Sequence, residues 1–523
     1  MSFSNSPPPF EWSHLWRPAI VNPVNLKSYT IPFFNLRDPY AQSFHLSWLG
    51  FFVAFLSWFA FPPLIPEAIK NDLKLSHAEV ANSNIVALLA TLGVRFAVGP
   101  LVDRYGPRKV MAWLLILGAI PSGLAGTAHN ATTLYVIRFF IGILGGTFVP
   151  CQAWTSAFFD KNCVGTANAL VGGWGNMGGG ATFAIMTSLY TALRQAGLTE
   201  HVAWRVSFAS VPAPVLLTVA AMTLVFGQDH PAGKWSERHN IPAINMADGE
   251  GTQFSDEKHP TKEKDLEKKG SQIEVNVHEV QDDEPSPKAR APVIQSTVDV
   301  AVNQNLTFAS AMKILTNPLT WLPALAYLTT FGFELALDAK MADVLWEIFN
   351  ERIDGFDQET AGFYTSVFGF LNLVTRPLGG YIGDVVYRKF GTKGKKWWTL
   401  ICGVIMGVST IAGGFYLADY KEPEIPDLDI HIFPTVAVIM GVFSVAAIFS
   451  ELGNGANFAL VPHCNAYNNG VMSGIVGSFG NLGGIIFALV FRFQPEQGKA
   501  WWIMGIICLV LNLVLIPVPV PEF

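Results

Sequence analysis

Two arginines stand where arginine is costly. Arg95 and Arg376 each precede, by eight residues, an aspartate (Asp103, Asp384) that opens a charged helix-end cluster, and each is otherwise set among apolar residues and glycine. Eight helical residues span about 12 Å at about 1.5 Å per residue. Measured into a hydrocarbon core about 30 Å thick, this puts both guanidinium groups near the midplane. An arginine at that depth costs at least about 2.5–3.5 kcal/mol on insertion scales and stays charged. A single arginine could snorkel or pair with an intramembrane carboxylate. A pair matched in depth, with no carboxylate at an equivalent position in both halves, points instead to an anion from outside the chain. The planar fork of donors suits a planar oxyanion with several acceptor oxygens.

A second feature is duplicated with them. Gly172 to Gly180, Gly-Gly-Trp-Gly-Asn-Met-Gly-Gly-Gly, returns at Gly477 to Gly484 as Gly-Ser-Phe-Gly-Asn-Leu-Gly-Gly. Asn176 and Asn481 thus occupy one position of a repeat, each after a loop glycine, Gly165 or Gly470. An amide and a bare glycine face are presented twice at the same membrane depth, the outline of a duplicated transport site. Gly173-Trp-Gly175-Asn-Met-Gly178 also fits a dinucleotide-binding string, but no strand precedes it, so a nucleotide cofactor is not expected. The segment 318–340 adds Tyr327, Phe331, Glu334 and Asp338, spaced by three or four on one helical face. A tyrosine hydroxyl and a phenyl ring there could cap and sandwich a planar anion, or could simply be core. Glu334 is an intramembrane acid and hence a candidate proton carrier, with Glu451 its competitor.

The elements that position these residues follow from composition. With 50% hydrophobic and 14% charged residues in 523, and a positive mean hydropathy, the chain is an integral membrane protein. Six apolar segments lie near 45–66, 81–102, 108–127, 132–158, 165–190 and 202–227, and six more near 318–340, 360–383, 397–417, 433–458, 470–493 and 500–518. Their length predicts helices. The expected fold is all-α: twelve transmembrane helices in two pseudo-symmetric bundles, 44–227 and 307–518, with polar flanks 1–43 and 519–523. Residues 228–306 are rich in Glu, Asp, Lys, Ser and Pro and read as a disordered linker, with Ser255 and Ser286 as phosphorylation candidates. No signal peptide is expected before the first segment. Arg104, Arg108 and Lys109 in one loop, and Arg388, Lys389, Lys393, Lys395 and Lys396 in another, fall on the same side and make it cytoplasmic by the positive-inside rule, with both termini inside. Asn130-Ala-Thr132 is then an outward-facing sequon. Gly142 and Gly146 form a small-residue packing face.

The paired arginines, the two glycine-asparagine runs and the helix-end Gly99-Pro-Leu-Val-Asp103-Arg104-Tyr-Gly-Pro-Arg108-Lys109 together resemble the nitrate/nitrite porter family of the major facilitator superfamily. The long central loop resembles its fungal-type branch. The helix-end motif alone would indicate only a major facilitator, while the repeated glycine-asparagine signature is the specific part. In the second half the motif departs from the first, with Tyr387-Arg388-Lys389-Phe390 following Asp384. The resemblance implies a nitrate site between the halves, with Arg95 and Arg376 clamping the anion, Asn176 and Asn481 giving amide donors, and Tyr327, Phe331 and Phe148 shaping the pocket. It also implies proton-coupled uptake at the plasma membrane, by alternating access about a midplane site.

Other classes are disfavoured or left open by particular features. An enzyme would need a nucleophile with its base, a metal cluster or a phosphate loop, and the sequence offers none, its five cysteines showing no ligand spacing. No cofactor, metal or nucleic acid is expected, and a site internal to one chain makes monomer the default. A nitrate/nitrite exchanger and a nitrate-sensing, transporter-like receptor remain alternatives. A carrier of a larger organic anion would want a roomier cavity than two glycine-lined helices provide.

Overall fold

The computed structural model describes residues 2–4, 7–23, 25–160, 163–240, 308–418, 434–464 and 469–520, which belong to one compact unit. Ser255, Ser286, the rest of 241–306 and the last tail residues lie outside the described residues.

The first half begins with a capped helix. Helix α1 (Pro39–Trp58) starts where Asp38 accepts the amide of Tyr40 and proline occupies the first turn, a position in which the missing N–H costs nothing. Helix α2 (His77–Tyr105), which carries Arg95, opens on a capping box of Ser76 and Glu79. There follow α3 (Pro107–Gly123) and α4 (Ala131–Ile141), the latter capped by Asn130 of the sequon and continuing through a tight turn, Gly142–Thr147, into α5 (Phe148–Phe158). Helix α6 (Val164–Gln195) holds the first glycine-asparagine run, and α7 (Glu200–Ser210) breaks ahead of Pro212 into α8 (Pro212–Phe226). The second half comprises α9 (Phe308–Thr316), α10 (Pro318–Phe349), α11 (Gln358–Leu371), α12 (Thr375–Ala418), α13 (Val436–Cys464), α14 (Asn469–Phe493) with the second run, and α15 (Gln497–Val514).

Among the described residues nine helical stretches are long and apolar enough to cross a membrane, and one of them, Gln358–Ala418, has 61 residues, more than a single crossing needs. It reverses at Gly391, whose φ of 63° and ψ of −157° suit a residue without Cβ. Gly106 turns the equivalent first-half hairpin with φ of 91°. Both reversals fall in the basic loops, and the end of the bundle that carries them is the basic end.

The glycine runs are where helices meet. A Cβ on Gly178 would overlap the carbonyl oxygen of Phe52 on α1, and one on Gly483, its repeat partner, would overlap that of Leu328 on α10. Gly180 of α6 and Gly369 of α11 cross backbone to backbone, and the two halves pack mainly through α2 on α14 and α6 on α11 and α12. Close helix approach through small residues supplies the dispersion contacts that hold bundles together in lipid. Gly483→Ala is therefore expected to cost roughly 1–3 kcal/mol or more through overpacking. Gly441→Ala, where a Cβ meets nothing within 4 Å, is expected to be neutral, and thermal unfolding of the two detergent-solubilised variants makes the comparison.

The N-terminal segment and the start of the linker are more structured than their composition predicts. Tyr40 donates to the Leu26 carbonyl at 2.5 Å and Asn25 donates to Asp160 at 3.0 Å, so the N-terminal segment is tied to the first bundle. Past residue 227 the chain stays packed. Arg108 donates to the Gly227 carbonyl at 2.7 Å and pairs with Asp229 at 3.2 Å, while the buried Trp235 donates to the Asp103 carbonyl at 2.9 Å. The expected linker boundary at 228 is thus too early: one tryptophan and one aspartate anchor the helix exit.

Candidate functional site

Arg95 and Arg376 meet at one aromatic ring. Their guanidinium carbons lie 4.9 and 5.8 Å from the centroid of Phe148, at the start of α5, and both residues are buried, with 0% and 1% of their surface exposed. Phe148 lies near-parallel to Tyr327 of α10 at 6.1 Å between centroids, and Tyr327 stacks in turn on Phe331 at 4.9 Å with 5° between planes. Phe458 of α13, not singled out by sequence, stands edge-on to both Phe148 and Tyr327. Arg95 also faces Phe331, at 5.2 Å. Cation–π attraction of this kind offsets part of the cost of desolvating a guanidinium.

The repeat explains why the arginines fit. Gly477 opposite Arg95 and Gly172 opposite Arg376 are equivalent positions of the two runs, and a Cβ there would sit 3.4 Å from Arg95 Nη1 and 3.1 Å from Arg376 Nε. Gly480 leaves room for the Tyr327 and Phe331 rings, which a Cβ would meet at 2.7 Å. The glycines beside Asn176 and Asn481 are thus the walls against which each arginine and its aromatic neighbours lie.

The hydrogen bonds of the two arginines are incomplete. Arg95 donates from Nε to Gly145 O at 2.8 Å and from Nη1 to Gly477 O at 2.7 Å, bridging the halves, while its Nη2 has no hydrogen-bond partner among the described residues. Arg376 donates from Nη2 to the Tyr327 hydroxyl at 3.0 Å. Its Nη1 faces Glu334 Oε2 at 3.9 Å, beyond hydrogen-bonding reach, and is likewise unpartnered. The carboxylate pairing weighed for a single arginine therefore describes Arg376 loosely. For Arg95 the described residues record no ion pair.

The acids form one network. Asn176, Asn372 and Asn454 all donate to Glu334, at 3.0, 2.9 and 2.6 Å, and Asn372 also donates to Glu451 at 2.9 Å, with Thr375 bonding the other Glu451 oxygen. Glu334 and Glu451, competitors in the sequence, are neighbours linked through one amide. Asn176 spends its amide on Glu334, and Asn481 turns its own back to the Gly477 carbonyl at 3.0 Å, so in this conformation neither donates toward the arginines. Asn372, Asn454 and Thr375 were not anticipated, because the repeat does not duplicate them. Asp338, one turn beyond Glu334 on α10, is buried and points at Gly179 across the halves.

Contacts between the halves lie to either side of the site. At the basic end Asp384 accepts from Thr166 of α6 at 3.1 Å and pairs with Lys395 at 2.9 Å, and Gly165 lets the carboxylate come close. At the opposite end Glu359 accepts from Thr191 at 2.7 Å. The second-half helix-end motif thus reaches across the interface through Asp384. Its first-half counterpart binds the α8 exit through Asp103 and Arg108. Arg104 and Arg388 are exposed, Arg104 lying over Tyr105 at 5.2 Å, and Gly99 lies under Gly474 of α14.

The Major Facilitator Superfamily model matches residues 47–488. The chain belongs to that superfamily. This facilitator is 31% identical over 491 residues to nitrate transporter 2.1 of Chlamydomonas reinhardtii, covering 92% of the chain and 75% of the relative. It is 30% identical to high affinity nitrate transporter 2.7 of Arabidopsis thaliana, covering 94% and 86%. A nitrate/nitrite transporter of Nostoc punctiforme is 28% identical over 91% of the chain and 92% of the relative, and the family is the nitrate/nitrite porter branch. Among solved structures, the proton:xylose symporter XylE superposes with a TM-score of 0.59 at 13% identity, covering 92% of this chain and 97% of that one, which speaks for the fold alone. The facilitator is a multi-pass membrane transporter and not an enzyme.

Proposed function

We propose that this facilitator carries nitrate, and with it nitrite, across the plasma membrane together with protons, by alternating access of its two halves around Arg95 and Arg376. The observation that carries the reading is the pair of buried, unpartnered guanidinium N–H groups, Arg95 Nη2 and Arg376 Nη1, against one aromatic wall between the halves. A small planar anion would supply the acceptors they lack, with Tyr327, Phe331 and Phe148 lying along its plane. The names borne by the relatives point to the same cargo.

The placement of Glu334 supports proton coupling. As a carboxylate it faces Arg376 Nη1 and competes with the cargo, and on taking a proton it releases that guanidinium to the anion. Glu451, joined through Asn372, is a second station. This arrangement favours symport over nitrate/nitrite exchange and over a sensor without turnover. Helix-end Asp384 would latch the basic, cytoplasmic end, with both termini on that side.

Purified protein in liposomes with an acidic exterior is expected to accumulate nitrate, to stop when the pH gradient is collapsed, and to be competed by nitrite and chlorate far better than by chloride. Saturable nitrate uptake that ignores the gradient would remove the proton from the reading. No nitrate uptake under any gradient would remove the cargo.

A further inference from the structure

Arg138 of α4 is a third buried arginine, and the repeat does not account for it. It exposes 3% of its surface, and the described residues record no ion pair for it. Its Nη1 donates to Ser83 Oγ at 2.7 Å, its Nη2 to Asn84 Oδ1 at 3.3 Å, and its guanidinium lies 5.3 Å from the Phe61 ring centroid. All of these partners are neutral, so the charge is solvated without being compensated.

Arg138 lines a cleft between the halves, shared with Ile65 and Asn84 of the first and Lys340, Asp343 and Phe491 of the second. Lys340 pairs with Asp343 at 3.5 Å and Glu347 stands beside Asp343, so the charge on the cleft wall for which no ion pair is recorded is that of Arg138. The cleft lies toward the end opposite the basic loops, at the start of α2 and the ends of α10 and α14. Arg138 stands seven residues along the chain from Gly145, whose carbonyl holds Arg95, and that is roughly 10 Å of helix. A guanidinium without a counter-ion in a low-dielectric wall attracts small anions to the cleft beside it.

We infer that Arg138 and its cleft form an outer recruitment site for a small monovalent oxyanion, occupied before the cargo reaches Arg95. The inference rests on the anion-transport reading above and assigns to it a separate site.

The test compares nitrate uptake by wild type, Arg138→Gln and Arg138→Lys, each normalised to tagged protein at the membrane. Arg138→Gln is expected to raise KM about five- to tenfold with kcat within about twofold, and Arg138→Lys to recover most of the loss, because the effect is one of charge. Raising ionic strength with an impermeant salt is expected to raise the wild-type KM and leave that of Arg138→Gln nearly unchanged. An unchanged KM in Arg138→Gln, or a fall in kcat that lysine does not repair, overturns the recruitment site. Thermal stabilisation by sodium nitrate in detergent separates this from failure of the transport reading. With the inner site disabled by Arg95→Lys, a residual weak response is expected that disappears in Arg95→Lys/Arg138→Gln. Its absence in the single variant, or its persistence in the double, overturns the outer site whether or not the wild type transports nitrate.

Discussion

Arg95→Lys and Arg376→Lys are each expected to lower kcat/KM for nitrate uptake by about 100-fold, with the amount of folded protein unchanged. Lysine keeps the charge, so long-range attraction of the anion survives. What it loses is the division of labour within the guanidinium. Arg95 fixes itself with Nε on Gly145 and Nη1 on Gly477 while Nη2 has no hydrogen-bond partner among the described residues, and Arg376 fixes itself on Tyr327 while Nη1 has only the Glu334 carboxylate before it at 3.9 Å. A lysine ammonium is a single point on a flexible stem and cannot hold the Gly145 and Gly477 carbonyls and the cargo at fixed angles together. Losing one charge-assisted hydrogen bond of about 1.5–3 kcal/mol, at about 1.4 kcal/mol per decade, gives about 10- to 100-fold, and the stated magnitude is the upper end of that range because the Gly145 and Gly477 contacts are disturbed with it. The measurement is initial nitrate uptake into liposomes over a range of nitrate concentrations. If both variants transport like wild type, the arginines only support the fold and the anion site lies elsewhere.

The same two arginines show what the sequence discloses and why. Their depth is legible because a helix converts an interval of eight residues into a distance, and their partnership because a gene-length repeat reproduces that interval. Tyr327 and Phe331 are legible from helical spacing, and they do stack on one face. Asn176 and Asn481 are legible as a pair, but their hydrogen bonds are not. A buried amide goes to the strongest acceptor within reach, and that depends on α10 and α14, which the run itself does not specify. Asn372, Asn454, Thr375 and Phe458 went unseen because they occur once and come from helices whose facing surfaces are set by packing. One signal was present: Asn454 follows Glu451 by three residues, which places both on one side of α13. Arg138 was passed over because it lacks a repeat partner, the property that makes it informative in the structure. The packing of residues 228–235 is hidden for another reason. Composition reports where polar residues begin, whereas the folded chain continues to Trp235 because an indole ring finds a buried place under the helix end.

Glu334→Gln is expected to abolish nitrate accumulation driven by a pH gradient while leaving nitrate binding within about threefold of wild type. Glutamine has nearly the shape of the protonated acid and is neutral at every pH, so it should release Arg376 Nη1 permanently to the anion. Its one oxygen can still accept from Asn176 and Asn372, while its NH2 takes the place of the oxygen that accepted from Asn454 and can donate to Asn454 Oδ1 once that amide turns over, so the network loses acceptor capacity without losing its place in α10. The energetic demand on the proton is large. Bringing one anion inward against about 100 mV, inside negative, costs about 2.3 kcal/mol, and a proton entering with it cancels that charge and adds about 1.4 kcal/mol per pH unit of gradient. A carrier that cannot take the proton must let nitrate run down its own electrochemical gradient. The variant should therefore exchange labelled nitrate across liposomes at near wild-type rates, yet fail to concentrate it and fail to acidify the lumen. Glu451→Gln is the necessary comparison, since the shared amide of Asn372 places it one step from the same proton. If Glu334→Gln still concentrates nitrate and Glu451→Gln does not, the proton resides at the second acid, and Arg376 is released through Asn372 rather than by the carboxylate it faces.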